Sequence, residues 1–228
     1  MKNKITDIFF DLDHTLWDFE KNSDLAFRKI FEINRVEVNI SEFLKVYKPI
    51  NLEYWRLYRE DKISKESLRF SRLHQAFLKL GNSQPENLIH QLSEDYIAYL
   101  PDHNFLLEDV DEILSALAQY YKLHIITNGF TKVQYKKLQN SHIDHYFCTV
   151  TTSEDVGVKK PNPKIFEYAM KKAKVNSVQS LMIGDSLEAD IYGAQNAGLE
   201  TVLFDPEESL TYEGLKIKKL KELKTLLL

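Results

Sequence analysis

The stretch ITDIFFDLDHT, residues 5–15, decides how the rest of the chain is interpreted. Its first half, residues 5–10, is short, apolar and rich in branched and aromatic side chains, a pattern typical of a buried strand. Two acidic residues, Asp11 and Asp13, follow this strand directly. Because ligands of open α/β sheets bind beyond the carboxyl ends of the strands, we expect the chemistry of the protein at this position.

Two different patterns follow the first strand. Residues 17–100 carry apolar side chains at helical spacing, and no strand is predicted there. Later segments alternate, with predicted strands at 123–126, 147–150, 181–183 and 201–204, and predicted helices at 110–120, 131–140, 163–174, 188–197 and, in the lysine-rich tail, 216–224. Such alternation is typical of a parallel sheet covered by helices. The sequence therefore predicts an α/β, Rossmann-like core of residues 1–16 and 101–228, with an all-helical cap domain of residues 17–100 inserted after the first strand.

The composition excludes several classes of protein. The 228 residues are 43% hydrophobic and 28% charged, which is typical of a folded globular chain. The net charge of −4 argues against binding to a nucleic-acid polymer, and no segment approaches the roughly 20 apolar residues that cross a membrane. Residues 1–7 lack the apolar stretch of a secretory signal, so we expect a cytoplasmic protein.

Cys148, in a predicted buried strand, is interpreted as a small apolar core residue. Nothing in the sequence defines an oligomeric state.

Polar residues of complementary kinds follow the other predicted strands as well. They are Thr127, Asn128 and Gly129, then Lys160 before a proline, and finally Asp185 and Ser186 with Asp190 shortly after. Asp11, Asp13 and Asp185 would bring three carboxylates into one small region, where they repel one another unless a cation joins them. Because oxygen is the ligand type, Mg²⁺ fits best. Lys160 adds the fixed positive charge that a phosphoryl-transfer site requires.

This set of residues predicts a route for phosphoryl transfer. Asp11 is the expected nucleophile and forms an aspartyl-phosphate, which divides one difficult displacement into two easier ones. Asp13 protonates the leaving oxygen and then deprotonates the attacking water, while its backbone carbonyl serves the metal. Thr127 and Ser186 offer hydroxyl donors, and the backbone amides near Asn128 meet the phosphate oxygens.

The motifs DLDHT, TNG, Lys160-Pro161 and GDSLEAD, in this order around a helical insertion, resemble the haloacid dehalogenase superfamily. The resemblance implies that Asp11 is the nucleophile and Asp13 the general acid and base, and that Asp11, the Asp13 carbonyl and Asp185 bind Mg²⁺. It also implies that Thr127 with Asn128 holds the phosphate, that Lys160 stabilises charge, and that Asp190 and Ser186 have supporting roles. For Asp190 a structural role as a first-turn helix acid stays open. The founding dehalogenases lack an acid where Asp13 stands, so its presence favours phosphatase chemistry.

The runs DLDHTLWDFEKNS, YKPINLEYWRLYRE and ISKESLRFSRLHQAF resemble the pyrimidine 5'-nucleotidase branch that acts on noncanonical nucleoside monophosphates. This resemblance implies a small-molecule phosphomonoester of the uridine or thymidine type as substrate. Two alternatives stay open. One is a phosphatase or phosphomutase for a sugar phosphate or phosphoglycolate. The other is a catalytically silent phosphate-binding protein on the same fold.

Substrate contacts outside the core motifs are predicted from position alone. Trp17 and Phe19 stand nearest the catalytic loop and are the candidates for contact with the substrate, although aromatic residues at helical spacing more often form core. Asn51, Arg69 and Arg72 could reach the substrate from the cap, although arginines there more often form ion pairs. We expect the cap to close over the site, with hinges near residues 16–19 and 101–104.

Overall fold

The computed structural model describes residues 4–228, so residues 1–3, which the sequence assigns to the first domain, lie outside the described residues. The chain divides into two compact units. One contains the described residues up to Phe19 together with Asn104–Leu228, and the other is Glu20–His103. The corresponding predicted boundaries are residues 16 and 101. That the two units act as a catalytic core and a cap stays a prediction.

The unit Glu20–His103 is built from helices. They are α1 (Phe19–Ile33), α2 (Ile40–Arg59), α3 (Lys65–Lys79) and α4 (Glu86–Tyr99), followed by a 3₁₀ turn at Leu100–Asp102. Helix α2 begins where the side chain of Asn39 accepts the backbone N–H groups of Ser41 and Glu42, and α3 begins at Ser64 in the same way.

Aromatic rings fill the interior of this helical unit. Phe27 stacks on Tyr96 with ring centroids 4.5 Å apart, and Phe43 contacts both Phe31 and Phe77. Each such ring buries a large apolar area and fixes its neighbour's orientation. Most of the aromatic residues that recur at helical spacing here therefore form core.

Two arginines of α3 have partners within the helical unit. Arg72 is buried and donates from Nη1 to Oδ1 of Asn51 over 2.8 Å, with its guanidinium above the ring of Tyr96. Arg69 pairs with Glu94 at 2.6 Å. Whether either side chain contacts a substrate stays a prediction.

The other unit holds one parallel sheet. Within the described residues its strands are β1 (Asp7–Phe10), β2 (Lys122–Thr127), β3 (Phe147–Thr152), β4 (Ser180–Gly184), β5 (Glu200–Phe204) and β6 (Lys216–Ile217). Their order across the sheet is β3-β2-β1-β4-β5-β6. The chain thus runs outward from β1 to one edge, returns to pair β4 with β1, and continues to the other edge. The sequence-based prediction of a parallel α/β fold is confirmed.

The point of reversal between β1 and β4 is where open α/β sheets bind their ligands. Phe9, Ile126 and Met182 lie on the neighbouring strands β1, β2 and β4 and belong to one buried cluster. Two side chains of the helix that begins at Pro163, Ile165 and Phe166, are buried in the same cluster. This core anchors the three strands whose ends carry the polar motifs.

The helices of this unit lie between successive strands, except the last helix, which follows β6. They are α5 (Val110–Leu117), α6 (Thr131–Asn140), α7 (Ser153–Val156), α8 (Pro163–Ala173), a π-helical turn at Leu187–Tyr192 that runs into α9 (Gly193–Asn196), and α10 (Glu222–Leu227). The predicted helix at 188–197 therefore opens with a wider turn. Such turns occur frequently at functional sites.

Two expectations were wrong. Residues 216–224 do not form one terminal helix, because Ile217 pairs with Phe204 to add strand β6, and α10 begins only at Glu222. Cys148 is exposed, because β3 is the edge strand of the sheet. In the part of the chain that is described, no helix is long and apolar enough to cross a membrane. The cytoplasmic location stays a prediction.

Candidate active site

The ends of three neighbouring strands define the site. Phe10, the last residue of β1, is in register with Ile125 of β2 on one side and Ile183 of β4 on the other. The next residue, Asp11, continues this alignment, since its N–H donates to the carbonyl of Ile183 over 3.0 Å. Residues that follow these strands therefore meet at one edge of the sheet.

Lys160 reaches this edge from the loop before α8. It is 2% exposed, and its Nζ donates to Oδ1 of Asp11 at 2.5 Å, to Oδ1 of Asp190 at 2.6 Å and to the carbonyl of Ile126 at 2.8 Å. The loop is held by Asn128, whose amide donates to the Lys160 carbonyl and accepts from the Lys160 N–H. The described contacts of Asn128 thus fix the backbone that carries the lysine.

Three carboxylates gather beside Lys160. Oxygens of Asp11, Asp185 and Asp190 lie within 4.8 Å of one another. Asp190 is fixed from the other side by the backbone N–H of Ser186, which donates to Oδ2 at 3.0 Å. It also occupies the space that a side chain at Gly184 would need, since a Cβ there would stand 2.3 Å from Oδ2 of Asp190. Glycine at the end of β4 is therefore a requirement of the acid cluster.

Burial and mutual repulsion change the protonation of this cluster. Burial raises the pKa of Asp11 well above its usual value, and the charges of Asp190 and Asp185 add to the rise. Burial and the charge of Asp190 raise the pKa of Asp185 to about 7, against a lowering by the hydroxyl of Thr15, which donates to Oδ1 at 3.0 Å. Burial lowers the pKa of Lys160, but the charges of Asp11 and Asp190 outweigh it and raise the pKa.

The donor set fits a divalent cation. When all three carboxyl groups are ionised they face one ammonium group, which leaves two negative charges in excess. Burial is the main cause of the raised pKa values of Asp11 and Asp185, and the charge of Asp190 adds to both. Oxygen donors favour a hard ion such as Mg²⁺. Asp190, which the sequence assigned to a supporting role, stands within this cluster.

Asp13 lies in a separate network. Its Oδ1 accepts from Nζ of Lys137 at 2.6 Å, and its Oδ2 accepts from Nε2 of Gln134 at 3.1 Å. The ammonium group of Lys137 lies 4.2 Å from the ring centroid of Trp17 and 5.3 Å from that of Phe19. Burial lowers the pKa of Lys137. Trp17 and Phe19, the predicted substrate contacts, thus enclose this lysine, and any contact they make with a substrate stays a prediction.

The hydroxyl groups of the site have defined partners. Oγ1 of Thr127 accepts the N–H of Gly129 at 3.1 Å and Nε2 of Gln134 at 2.7 Å. Because a hydroxyl oxygen has two lone pairs, its own hydrogen remains for an acceptor such as a phosphate oxygen. Oγ of Ser186 accepts the N–H of Ala189 and so caps the π-helical turn.

The sequence reasoning missed Gln134 and Lys137. Both lie on α6, three residues apart, and both side chains are buried. The signal for them was weak, because a lysine in an amphipathic helix is normally a surface residue. Both residues follow the motif TNG, one about a helical turn and the other about two turns into α6. That spacing is the signal that could have indicated a place at the site.

The fold and the site define a hydrolase class. The haloacid dehalogenase-like hydrolase family matches residues 8–204, and the chain belongs to this family. The resemblance given by the four motifs is confirmed.

Particular relatives have different names within that class. The chain is 32% identical over 225 residues to the pyrimidine 5'-nucleotidase YjjG of Escherichia coli (strain K12), and the aligned region covers 96% of each chain. It is 34% identical over 213 residues to a glyceraldehyde 3-phosphate phosphatase of Pyrococcus abyssi (strain GE5 / Orsay), covering 86% of this chain and 80% of the relative. A crystal structure of the HAD-hydrolase YfnB from Bacillus subtilis, bound to magnesium and described as revealing interdomain movement, superposes with a TM-score of 0.89. It shares 31% identity and covers 98% of this chain and 99% of that one.

Proposed function

We propose that the protein is a Mg²⁺-dependent phosphomonoesterase that hydrolyses nucleoside 5'-monophosphates, with a preference for pyrimidines. The observation that carries the proposal is the contact between Lys160 and Asp11 at the switch point of the sheet, beside Asp185 and Asp190. Lys160 engages Oδ1 of Asp11, and we assign Oδ2 as the atom that attacks phosphorus.

The carboxylates of Asp11 and Asp185 and the carbonyl of Asp13 would hold Mg²⁺, as the sequence motifs imply. The bound ion supplies positive charge that screens the repulsion between the Asp11 carboxylate and the phosphate dianion. Asp190 supports the cluster by holding Lys160. Lys160 stabilises the charge that develops on the transferring phosphoryl group, and the free hydrogen of Thr127 donates to one of its oxygens.

The reaction divides into two steps. In the first, Asp11 forms a bond to phosphorus, the bond from phosphorus to the leaving oxygen breaks, and Asp13 gives its proton to that oxygen. In the second, Asp13 takes a proton from water, the water oxygen bonds to phosphorus, and the bond from Asp11 to phosphorus breaks. Asp11 is regenerated, and free phosphate leaves.

The nucleotide assignment is supported by the three runs that resemble the pyrimidine 5'-nucleotidase branch and by the name of the Escherichia coli relative. A sugar phosphate is the second candidate. It is supported by the similarity to the Pyrococcus abyssi enzyme, which is named for glyceraldehyde 3-phosphate.

The test is phosphate release from a panel of monophosphates with Mg²⁺ present. UMP and dTMP are compared with AMP, GMP, glyceraldehyde 3-phosphate and phosphoglycolate. We expect the highest kcat/KM for UMP or dTMP. Faster turnover of a sugar phosphate or phosphoglycolate would replace the nucleotide assignment, and no release from any ester would refute the phosphatase proposal.

A pair of variants tests the nucleophile and the silent-protein alternative together. Asp11→Asn removes the attacking carboxylate, so turnover is expected to disappear. Asp144→Asn makes the same chemical change at an exposed position and should leave turnover unchanged. An Asp11→Asn variant as active as the parent would show that another group attacks phosphorus.

A further inference from the structure

Gln134 and Lys137 have no part in the mechanism above, although both are buried at the site. Gln134 is 0% exposed and Lys137 is 2% exposed. Polar side chains of this length are seldom fully buried unless their partners compensate them. Their partners are residues that the mechanism does use.

Both side chains belong to α6 and donate hydrogen bonds to Asp13. Lys137 donates to Oδ1 at 2.6 Å and Gln134 to Oδ2 at 3.1 Å, so each oxygen of the carboxylate has its own donor. Two donors on two oxygens fix both the position and the rotation of a carboxylate plane. Because Gln134 and Lys137 lie three residues apart, α6 holds them on one face as a rigid pair.

Gln134 also connects Asp13 to the phosphate-binding residue. Its Nε2 donates to Oγ1 of Thr127 at 2.7 Å as well as to Asp13. The Gln134 side chain fills the space beside Gly129, where a Cβ would stand 2.4 Å from its Cδ. Since Asp13 only accepts hydrogen bonds when ionised, the amide nitrogen must face it, which fixes the orientation of the amide.

We propose that Lys137 and Gln134 are positioning residues that hold the Asp13 carboxylate at the leaving-group oxygen, in fixed relation to the phosphate held by Thr127. The inference rests on the proposed phosphatase function. It assigns to α6 the task of placing the proton donor and acceptor, whereas the metal and the transferring phosphoryl group are bound by residues outside this helix. Loss of either side chain releases Asp13 from its set geometry and leaves Asp11 and Lys160 in place.

The leaving group separates this role from a structural one. An alkyl phosphate such as UMP expels a strongly basic alkoxide, which needs the proton of Asp13 as its bond to phosphorus breaks. An aryl phosphate such as p-nitrophenyl phosphate expels a weakly basic phenolate, which leaves without that proton. The value of kcat/KM reports phosphoryl transfer to Asp11, so a misplaced Asp13 lowers it for the alkyl ester only.

The variants are Lys137→Met and Gln134→Leu, each with a control on the exposed face of α6. Lys136→Met and Gln139→Leu make the same changes at neighbouring exposed positions. We expect kcat/KM for UMP to fall about 100-fold in both test variants, since general acid catalysis contributes roughly 10²–10⁴-fold. For p-nitrophenyl phosphate it should fall less than about 3-fold, and the controls should match the parent.

A second readout follows the other proton transfer. With p-nitrophenyl phosphate, the test variants should release one equivalent of nitrophenol per enzyme in a rapid burst and then turn over slowly, because Asp13 no longer activates water promptly. Equal losses of kcat/KM on both esters, with no burst, would overturn the inference. If Lys137→Met does not fold, Gln134→Leu decides by the same criteria. A parent protein that hydrolyses neither ester refutes the proposed function itself and this inference with it.

Discussion

Replacing Lys160 with methionine removes the ammonium group that contacts both Asp11 and Asp190 while keeping a side chain of similar length. The two carboxylates are then buried beside Asp185 without that counter-charge. Breaking a buried ion pair by removing one partner costs about 3–5 kcal/mol. For a chain of this size each kcal/mol lowers Tm by about 2–4 °C, so we expect Lys160→Met to lower Tm by about 6–20 °C.

The pH dependence of that loss has a defined sign. Burial already raises the pKa of Asp11, and removal of Lys160 raises it further, since the ammonium charge favours the ionised form. Above the ordinary pKa of a carboxyl group, the folded variant then binds more protons than its unfolded chain, so its free energy of unfolding falls as pH rises. The loss of Tm should therefore be smaller at pH 5 than at pH 8.

A double-mutant cycle identifies the cause. Asp190→Asn removes one of the two carboxylates that Lys160 compensates, so Lys160→Met and Asp190→Asn together should cost less than the sum of the single changes by about 1–3 kcal/mol. The measurement is thermal unfolding of the four proteins without metal at pH 5 and pH 8. Lys164→Met, at an exposed position of α8, is the control and should leave Tm unchanged. Additive effects, or an unaltered Tm for Lys160→Met, would refute the charge argument.

Three further changes test single contacts. Gly184→Ala puts a Cβ where the Asp190 carboxylate stands. We expect the free energy of unfolding, measured by thermal unfolding, to fall by about 1–3 kcal/mol, and kcat to drop. A variant with normal stability would contradict the packing argument. Thr15→Val removes the hydroxyl that orients Asp185 and should weaken Mg²⁺ binding by about 10–100-fold in a titration of activity against Mg²⁺; an unchanged titration would count against Asp185 as a ligand. His124 is buried and its pKa is lowered by burial, so below about pH 6.5 the unfolded chain binds a proton that the folded chain does not, and stability falls as pH falls. His124→Gln should reduce the difference in Tm between pH 8 and pH 5, and an equal difference would disprove this linkage.

The parallel sheet could be predicted because its strands are short apolar runs separated by helical patterns. The strand in the C-terminal tail could not be predicted, because β6 has only two residues and so shows no periodic pattern in the sequence. It is defined by the pairing of Ile217 with Phe204. The exposure of Cys148 depends on which strand lies at the edge of the sheet. Strand order is a property of pairing between distant segments, and the sequence pattern of a single strand does not contain it.

The placement of Asp11, Thr127 and Asp185 at one edge of the sheet could be predicted because each stands at the end of a strand, and the carboxyl ends of parallel strands share one edge. Lys160 lies farther from the end of its strand and is singled out because it directly precedes a proline. The partners of these residues were harder to predict. Asp190 is held by the backbone N–H of Ser186 and fills the space beside Gly184. Both contacts depend on the π-helical turn after β4, which carries Asp190. Hydrogen bonds in a π-helix span one residue more than those in an α-helix. Six residues are too few for the spacing of apolar side chains to distinguish the two kinds of helix.

The two acids after β1 show why identical residues two positions apart acquire different chemistry. Asp11 meets Lys160, which comes from the loop before α8, whereas Asp13 meets Lys137, which comes from α6. Each lysine is buried, so solvent screens its ion pairs little. The charge on Asp11 is thereby coupled to Asp185 and Asp190, while the carboxylate of Asp13 is held outside that acid cluster. In the proposed reaction, Asp11 attacks as a carboxylate and Asp13 gains and loses a proton, so the two acids need this separation, and two crossover connections of the sheet provide it.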